Sequence, residues 1–174
     1  MDIFLTAYLK SEEEFLESFK PGDANKTDEN GRGLLLMSLQ NKHLPSRYAI
    51  SNFLLDQGAP ADTTGNGGAS ALHILFGQVS HDIEQDVRLA RRLIAGRADI
   101  NHADDNGRLP FVDVISMKFS DEDLQPIYDL WFEQPNPDFT SESRFGLSPL
   151  SAARKLPFRS EILSRMENYV LNNS

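Results

Sequence analysis

The chain has 174 residues, 40% of them hydrophobic, with no cysteine and a formal net charge of -9. That length buries one core without covalent staples, and the missing cysteine excludes disulfides, thiolate chemistry and cysteine-ligated zinc. The acidity argues against non-specific nucleic-acid binding, because phosphate would be repelled over most of the surface, and favours a basic partner.

The opening MDIFLTAYLK has Asp2 near its start and no basic n-region. No apolar run approaches the ~18 residues of a membrane span, so a soluble, cytoplasmic protein without membrane contact is expected. Ser11 with Glu14 three residues on reads as a capping box, and Phe15, Leu16 and Phe19 form the apolar stripe of its helix. PGD at 21–23 stops that helix. The acidic EEE at 12–14 suits a helix N-terminus, where carboxylates complement the dipole.

Beyond this unit the chain repeats itself. Four segments share one pattern: GRGLLLMS from Gly31, GASALHIL from Gly68, GRLPFVDV from Gly107 and GLSPLSAA from Gly146. The glycines recur at intervals of 37, 39 and 39 residues. A second pattern keeps step, the end of an apolar helix: LLDQGAPAD at 54–62, LIAGRADIN at 93–101 and LWFEQPNPD at 130–138. Two signals in one register define a repeat protein.

Each repeat is predicted to form two antiparallel helices followed by an outward-pointing hairpin. Pro110 and Pro149 fall where a helix begins and a missing N–H has no cost. GNGG at 65–68 lacks the lysine and hydroxyl of a phosphate loop and reads as a hairpin tip with positive φ. Pro126, after the acidic DED at 121–123, is expected to delay the start of its helix to about Asp123. Ile162, Leu163, Met166, Tyr169 and Val170 fall at helical spacing in the last unit. Such units cannot bury their helices alone, so they stack, each against its neighbours.

The pattern resembles the ankyrin repeat family, whose repeats carry G-x-T-P-L-H-x-A at a helix start and L-L-x-x-G-A-D-V-N at the next helix end. GASALHIL, GLSPLSAA and the junction RADINHADDNGRLP match best. The family period is about 33 residues, so the repeats here are longer, by roughly one helical turn. Arg97 and Gln134 stand where the family has its helix-ending glycine, with Gly96 one place earlier. Leu36 and Val112 stand at the motif histidine. The resemblance implies a single all-α domain over 1–174: an ankyrin-like solenoid of paired antiparallel helices with projecting hairpin loops. Residues 1–24 act as an N-terminal capping half-repeat, and about four repeats fill 25–171.

It also implies that His73 is structural, its imidazole hydrogen-bonding backbone and linking one turn to the next. Gly31, Gly68, Gly107, Gly146, Pro110 and Pro149 share that structural role. A buried imidazole needs partners, and no nucleophile or carboxylate stands at a fixed spacing from His73 to make it a catalyst. His43, His81 and His102 are scattered and read as surface or turn residues, with no paired spacing for a metal. HADDNG at 102–107 has the acidic density of an EF-hand loop, but counting back from Gly107 puts His102 at the first ligand position. A hairpin turn explains it better. No catalytic residue, metal or cofactor is expected.

Function then falls to the concave face made of tips and first helices. Tip residues Glu29, Asn30, Arg32, Asn66, Asp105, Asn106, Arg108, Arg144 and Phe145 form a row of polar and basic fingers, with Asn41, Gln78 and Met117 behind them. An exposed Phe145 beside Arg144 suits an interface anchor. The reading is a monomeric, non-catalytic protein-binding module, in its narrower form an inhibitor or immunity protein that blocks a partner such as a toxin. The alternative is a scaffold or regulatory subunit of a larger complex.

Overall fold

Short apolar stretches alternate with longer amphipathic ones, and the folded chain converts each such pair into a helical hairpin. The computed structural model describes residues 1–174 and is all-helical, with no strand beyond two isolated bridges, Thr27 to Gly33 and Thr64 to Ser70. The pairs are α1 (Ile3–Leu9) with α2 (Glu12–Ser18), α3 (Leu34–Leu39) with α4 (Leu44–Asp56), and α5 (Ala71–Phe76) with α6 (Ile83–Ala95). They continue as α7 (Pro110–Ile115) with α8 (Asp121–Phe132) and α9 (Pro149–Arg154) with α10 (Ser160–Asn172).

Helices as short as α3, α5, α7 and α9 do not hold in water by themselves. Burial holds them: every residue of α3 is buried, and α7 buries all but Asp113. The pairs stack into two layers, with α1, α3, α5, α7 and α9 packed in succession and α2, α4, α6, α8 and α10 packed behind them. One continuous core runs between the layers, from Phe15 against Phe53 at one end to Phe111, Trp131 and Phe139 near the other.

Local signals set the helix starts. Ser11 and Glu14 form the capping box read from the sequence, and Pro110 and Pro149 sit in the first turns of α7 and α9. The acidic triplets occupy the first turns of α2 and α8.

Three expectations need correction. The N-terminal unit contains two helices instead of one, and Leu16 faces outward while Phe15 enters the core. Pro126 does not delay α8, which starts at Asp121 because the Ser120 hydroxyl accepts the Asp123 N–H and caps it. The proline then lies inside the helix. At the ends of the second helices, Gly58 takes a positive φ of 84° and Arg97 takes 79° in spite of its side chain. In the third repeat Asn136, two places beyond Gln134, has the left-handed conformation.

Candidate functional site

Between one pair and the next, the chain makes the same tight turn four times. At Asp28, Gly65, Asp104 and Ser143 the backbone N–H donates to the carbonyl four residues on, at 2.9, 2.8, 3.0 and 3.0 Å. Three residues after each of these comes Gly31, Gly68, Gly107 or Gly146, with φ of 77°, 72°, 80° and 74°. Only glycine takes that conformation without strain, which is why the repeat is legible through its glycines. Side chains finish three of the tips. Asp28 Oδ1 accepts the N–H groups of Asn30 and Arg32, Asp104 Oδ1 those of Asn106 and Arg108, and Ser143 Oγ those of Phe145 and Leu147.

Three tips are also joined to one another. Asp105 N–H donates to the Gly67 carbonyl at 2.8 Å, and Arg144 N–H donates to the Asn106 carbonyl at 2.8 Å. His102 Nε2 adds a bond to the Gly68 carbonyl at 2.9 Å. The second, third and fourth tips are therefore one rigid rank, while no backbone bond connects the first tip to it.

His73 fixes the rank to the helices. Its Nδ1 accepts the Ser70 N–H at 3.1 Å, closing a capping box on α5, and its Nε2 donates to the Arg108 carbonyl of the next repeat at 2.7 Å. Both ring nitrogens are engaged and the ring is buried. Burial holds its pKa below the usual 6.5, so the ring is neutral at physiological pH and has no free nitrogen for proton transfer.

The side chain of Arg108 turns toward the first-helix layer and donates from Nη2 to Asp113 Oδ1 at 2.6 Å. Its Nε is buried without a partner. Burial pushes the Asp113 carboxyl up to about 6 against the pull of the guanidinium. The pair lies in a groove of about 370 Å³ between the second and third repeats. Gln78 and Lys118 flank it, together with Val79, which is 92% exposed. At the fourth tip Phe145 is 74% exposed, with the Arg144 guanidinium 5.3 Å from its ring centroid. An exposed aromatic, a stacked arginine and a half-desolvated ion pair on rigid supports can hold a partner surface.

No protein-family model matches the chain. No curated protein matches it either. Among solved structures it is similar to a functionally unknown protein from Leptotrichia buccalis C-1013-b, with a TM-score of 0.82 and 23% identity over 98% of this chain and 93% of that one. At that identity the likeness is one of fold.

Of the residues singled out in the sequence, Glu29, Asn30, Asn66, Asp105, Asn106, Arg144 and Phe145 are exposed at the tips. Arg32 is half-buried, with its guanidinium tied to Asp28 at 2.7 Å. Gln78 is half-buried and donates to the Ile74 carbonyl.

Two others are not on the surface. Asn41 is 1% exposed because its side-chain amide donates to the carbonyls of Ala7 and Lys10 at the end of α1, and Met117 is 5% exposed. Asn41 ties two units together and Met117 belongs to the buried core, so both are corrected to structural residues.

His81 lies in the turn before α6 and not on the surface. Its side chain is buried, with Nδ1 facing Asp86 Oδ2 and Nε2 facing the Gln78 carbonyl, both at 2.7 Å. Tyr48 from the preceding repeat donates to the other Asp86 oxygen at 2.6 Å. Burial and that carboxylate push the Tyr48 phenol far above its ordinary value. Both ring nitrogens and both Asp86 oxygens are engaged within this group, which locks a turn. His43 is exposed, as read from the sequence.

The sequence reading also missed Asp113, which signals itself only as a charge within the apolar PFVDVI of α7.

Proposed function

We propose that this chain is an ankyrin-like repeat module that binds another protein without catalysing a reaction, through its hairpin tips and first helices. The observation that carries the reading is the hydrogen-bonded rank of tips, which carries Arg144 and Phe145 on one tip and Arg108, at the groove with Asp113, on the tip bonded to it. Fold by itself selects no activity. Rigid display of an aromatic and an arginine favours recognition, since little side-chain and loop entropy is lost on binding.

The narrower form of the proposal is an inhibitor or immunity protein acting in the cytoplasm on a basic partner such as a toxin. The net charge of -9 supports the sign of that partner. The test is affinity capture with the wild type beside an Arg108→Ala/Arg144→Ala/Phe145→Ala variant, followed by titration of the purified partner at physiological salt. A basic protein bound below micromolar Kd by the wild type and at least about tenfold more weakly by the variant is expected. Equal retention by both baits removes the tip assignment, and the absence of any basic partner removes the inhibitor form.

A scaffold role is the second reading. The observation favouring it is exposed apolar surface at both ends of the stack, with Leu5 and Leu9 on α1 and Leu171 on α10. Light scattering of the captured assembly separates the two, because an inhibitor forms a simple pair and a scaffold carries several chains.

A further inference from the structure

On the layer facing away from the tips, an opening of about 720 Å³ lies between the N-terminal halves of α6 and α8, with Ile83, Val87, Phe119 and Pro126 along it. Its presence follows from how this layer is tied together. Arg92 of α6 reaches Asn52 and Asp56 of α4, and Arg165 of α10 reaches Gln125 and Asp129 of α8. Between α6 and α8 the side-chain bridge runs from Arg91 to Glu133, at the far end of both helices. Nothing polar spans the near end, and the apolar side chains there stay partly open to solvent.

The rim of this groove is short of donors. Glu84 and Asp123 stand on opposite walls, and the cation in the lining, Arg88, is already 3.1 Å from Glu84. His81 contributes a ring edge, with both nitrogens committed elsewhere. Pro126 has no amide hydrogen, so the Glu122 carbonyl one turn earlier lacks its helical donor. An apolar strip with acceptors in excess at its edges complements apolar side chains flanked by cations, whose aliphatic stems also cover apolar surface.

We infer that this groove is a second docking surface, which takes a basic amphipathic peptide segment. Its apolar side chains rest on Ile83, Val87, Phe119 and Pro126, and its lysines or arginines meet Glu84 and Asp123. The surface goes beyond the tip-mediated binding proposed above and does not depend on it.

The test uses the full chain and two fluorescein-labelled model peptides with the same leucine-rich centre, one flanked by lysines and one by glutamates, read by fluorescence anisotropy. The lysine-flanked peptide is expected to bind saturably and to weaken with salt, while the glutamate-flanked peptide does not bind. A Glu84→Lys/Asp123→Lys variant, altered only at exposed positions and checked for an unchanged melting curve, is expected to weaken the lysine-flanked peptide by about tenfold or more. The Arg144→Ala/Phe145→Ala tip variant is expected to bind it like wild type. Equal affinity for both peptides, indifference to the double charge reversal, loss of binding in the tip variant, or no binding up to millimolar peptide would each overturn the inference.

Discussion

Gly96 and Ala61 lie so close that a methyl group on Gly96 would sit 2.8 Å from the Ala61 Cβ, yet Gly96 has ordinary helical φ. The left-handed conformation that ends α6 falls instead on the next residue, Arg97, with φ of 79°. The glycine is spent on packing between repeats, and a side chain carries the backbone strain. Arg97→Gly is therefore expected to stabilise the protein by about 0.5–1 kcal/mol, the left-handed penalty less the entropy glycine adds to the unfolded chain. Gly96→Ala is expected to cost about 1–3 kcal/mol through overpacking. Urea melts of the two variants decide the matter, and the same sign for both would refute this division of roles.

His73 and Asp113 line the same inner surface and respond to acid in opposite directions. Burial holds the folded His73 below 6.5, so the unfolded chain binds the proton more readily. The stability of the neutral ring is present above the unfolded value and lost as pH falls below it. Asp113 has its folded value raised from 3.8 to about 6, so its contribution is present at acid pH and lost as pH rises through 6. Asp113→Asn is expected to raise stability at pH 7 by about 1–3 kcal/mol, an advantage that shrinks toward pH 4. His73→Ala is expected to cost about 1–3 kcal/mol at pH 7, because it strands the buried Ser70 N–H and takes away one of the two donors to the Arg108 carbonyl. Denaturant melts across pH 4 to 8 check both, and an unchanged pH profile in Asp113→Asn would contradict the assignment.

Gly65 begins the second tip without the side chain that Asp28, Asp104 and Ser143 use to hold theirs. Its φ of -105° suits any residue, and a Cβ there would meet Leu36 and Ile74 at 3.5 and 3.6 Å, ordinary contact distances. Gly65→Asp is expected to supply the missing turn bonds and add about 0.5–1 kcal/mol. A thermal melt reads the gain, and a loss would mean that the second tip requires glycine.

How much of this was legible in the sequence depended on whether a residue's role was local. The four tip glycines and the prolines of α7 and α9 stood out because backbone conformation fixes those residue types at fixed spacing. The Ser11 capping box is local in the same way. Asn41 and His81 were misplaced because their partners lie 31 or more residues away or inside a turn whose burial depends on the next repeat. Asp113 was missed because nothing nearby in the chain distinguishes a carboxylate facing Arg108 across a groove from one facing solvent. Pro126 misled because proline usually marks a helix boundary, and here Ser120 and three acidic residues outweigh it.

Arg159 is the clearest case of a residue whose importance lies across the stack. It is 0% exposed, and its guanidinium donates to the carbonyls of Ile115, Phe119 and Met117 at 2.8, 2.9 and 2.5 Å, wrapping the turn between α7 and α8 from the following repeat. Asp121, which accepts from Arg159 at 3.3 Å and from Tyr128 at 2.7 Å, balances the charge. Arg47 does the same one end earlier, donating to the Asn41 carbonyl in its own turn and to the Ser80 carbonyl in the next. Removing Arg159 leaves three carbonyls without these donors and the Asp121 carboxylate without its counter-charge, so Arg159→Leu is expected to cost about 3–5 kcal/mol. Arg159→Lys should recover little of it, because one ammonium cannot span the same set of acceptors. Hydrogen exchange is the decisive measurement. Amides of residues 116–120 and of α10 are expected to lose protection first in Arg159→Lys, while α3 to α6 keep theirs, and uniform loss along the chain would show that the stack melts as one unit and that this clamp has no local role.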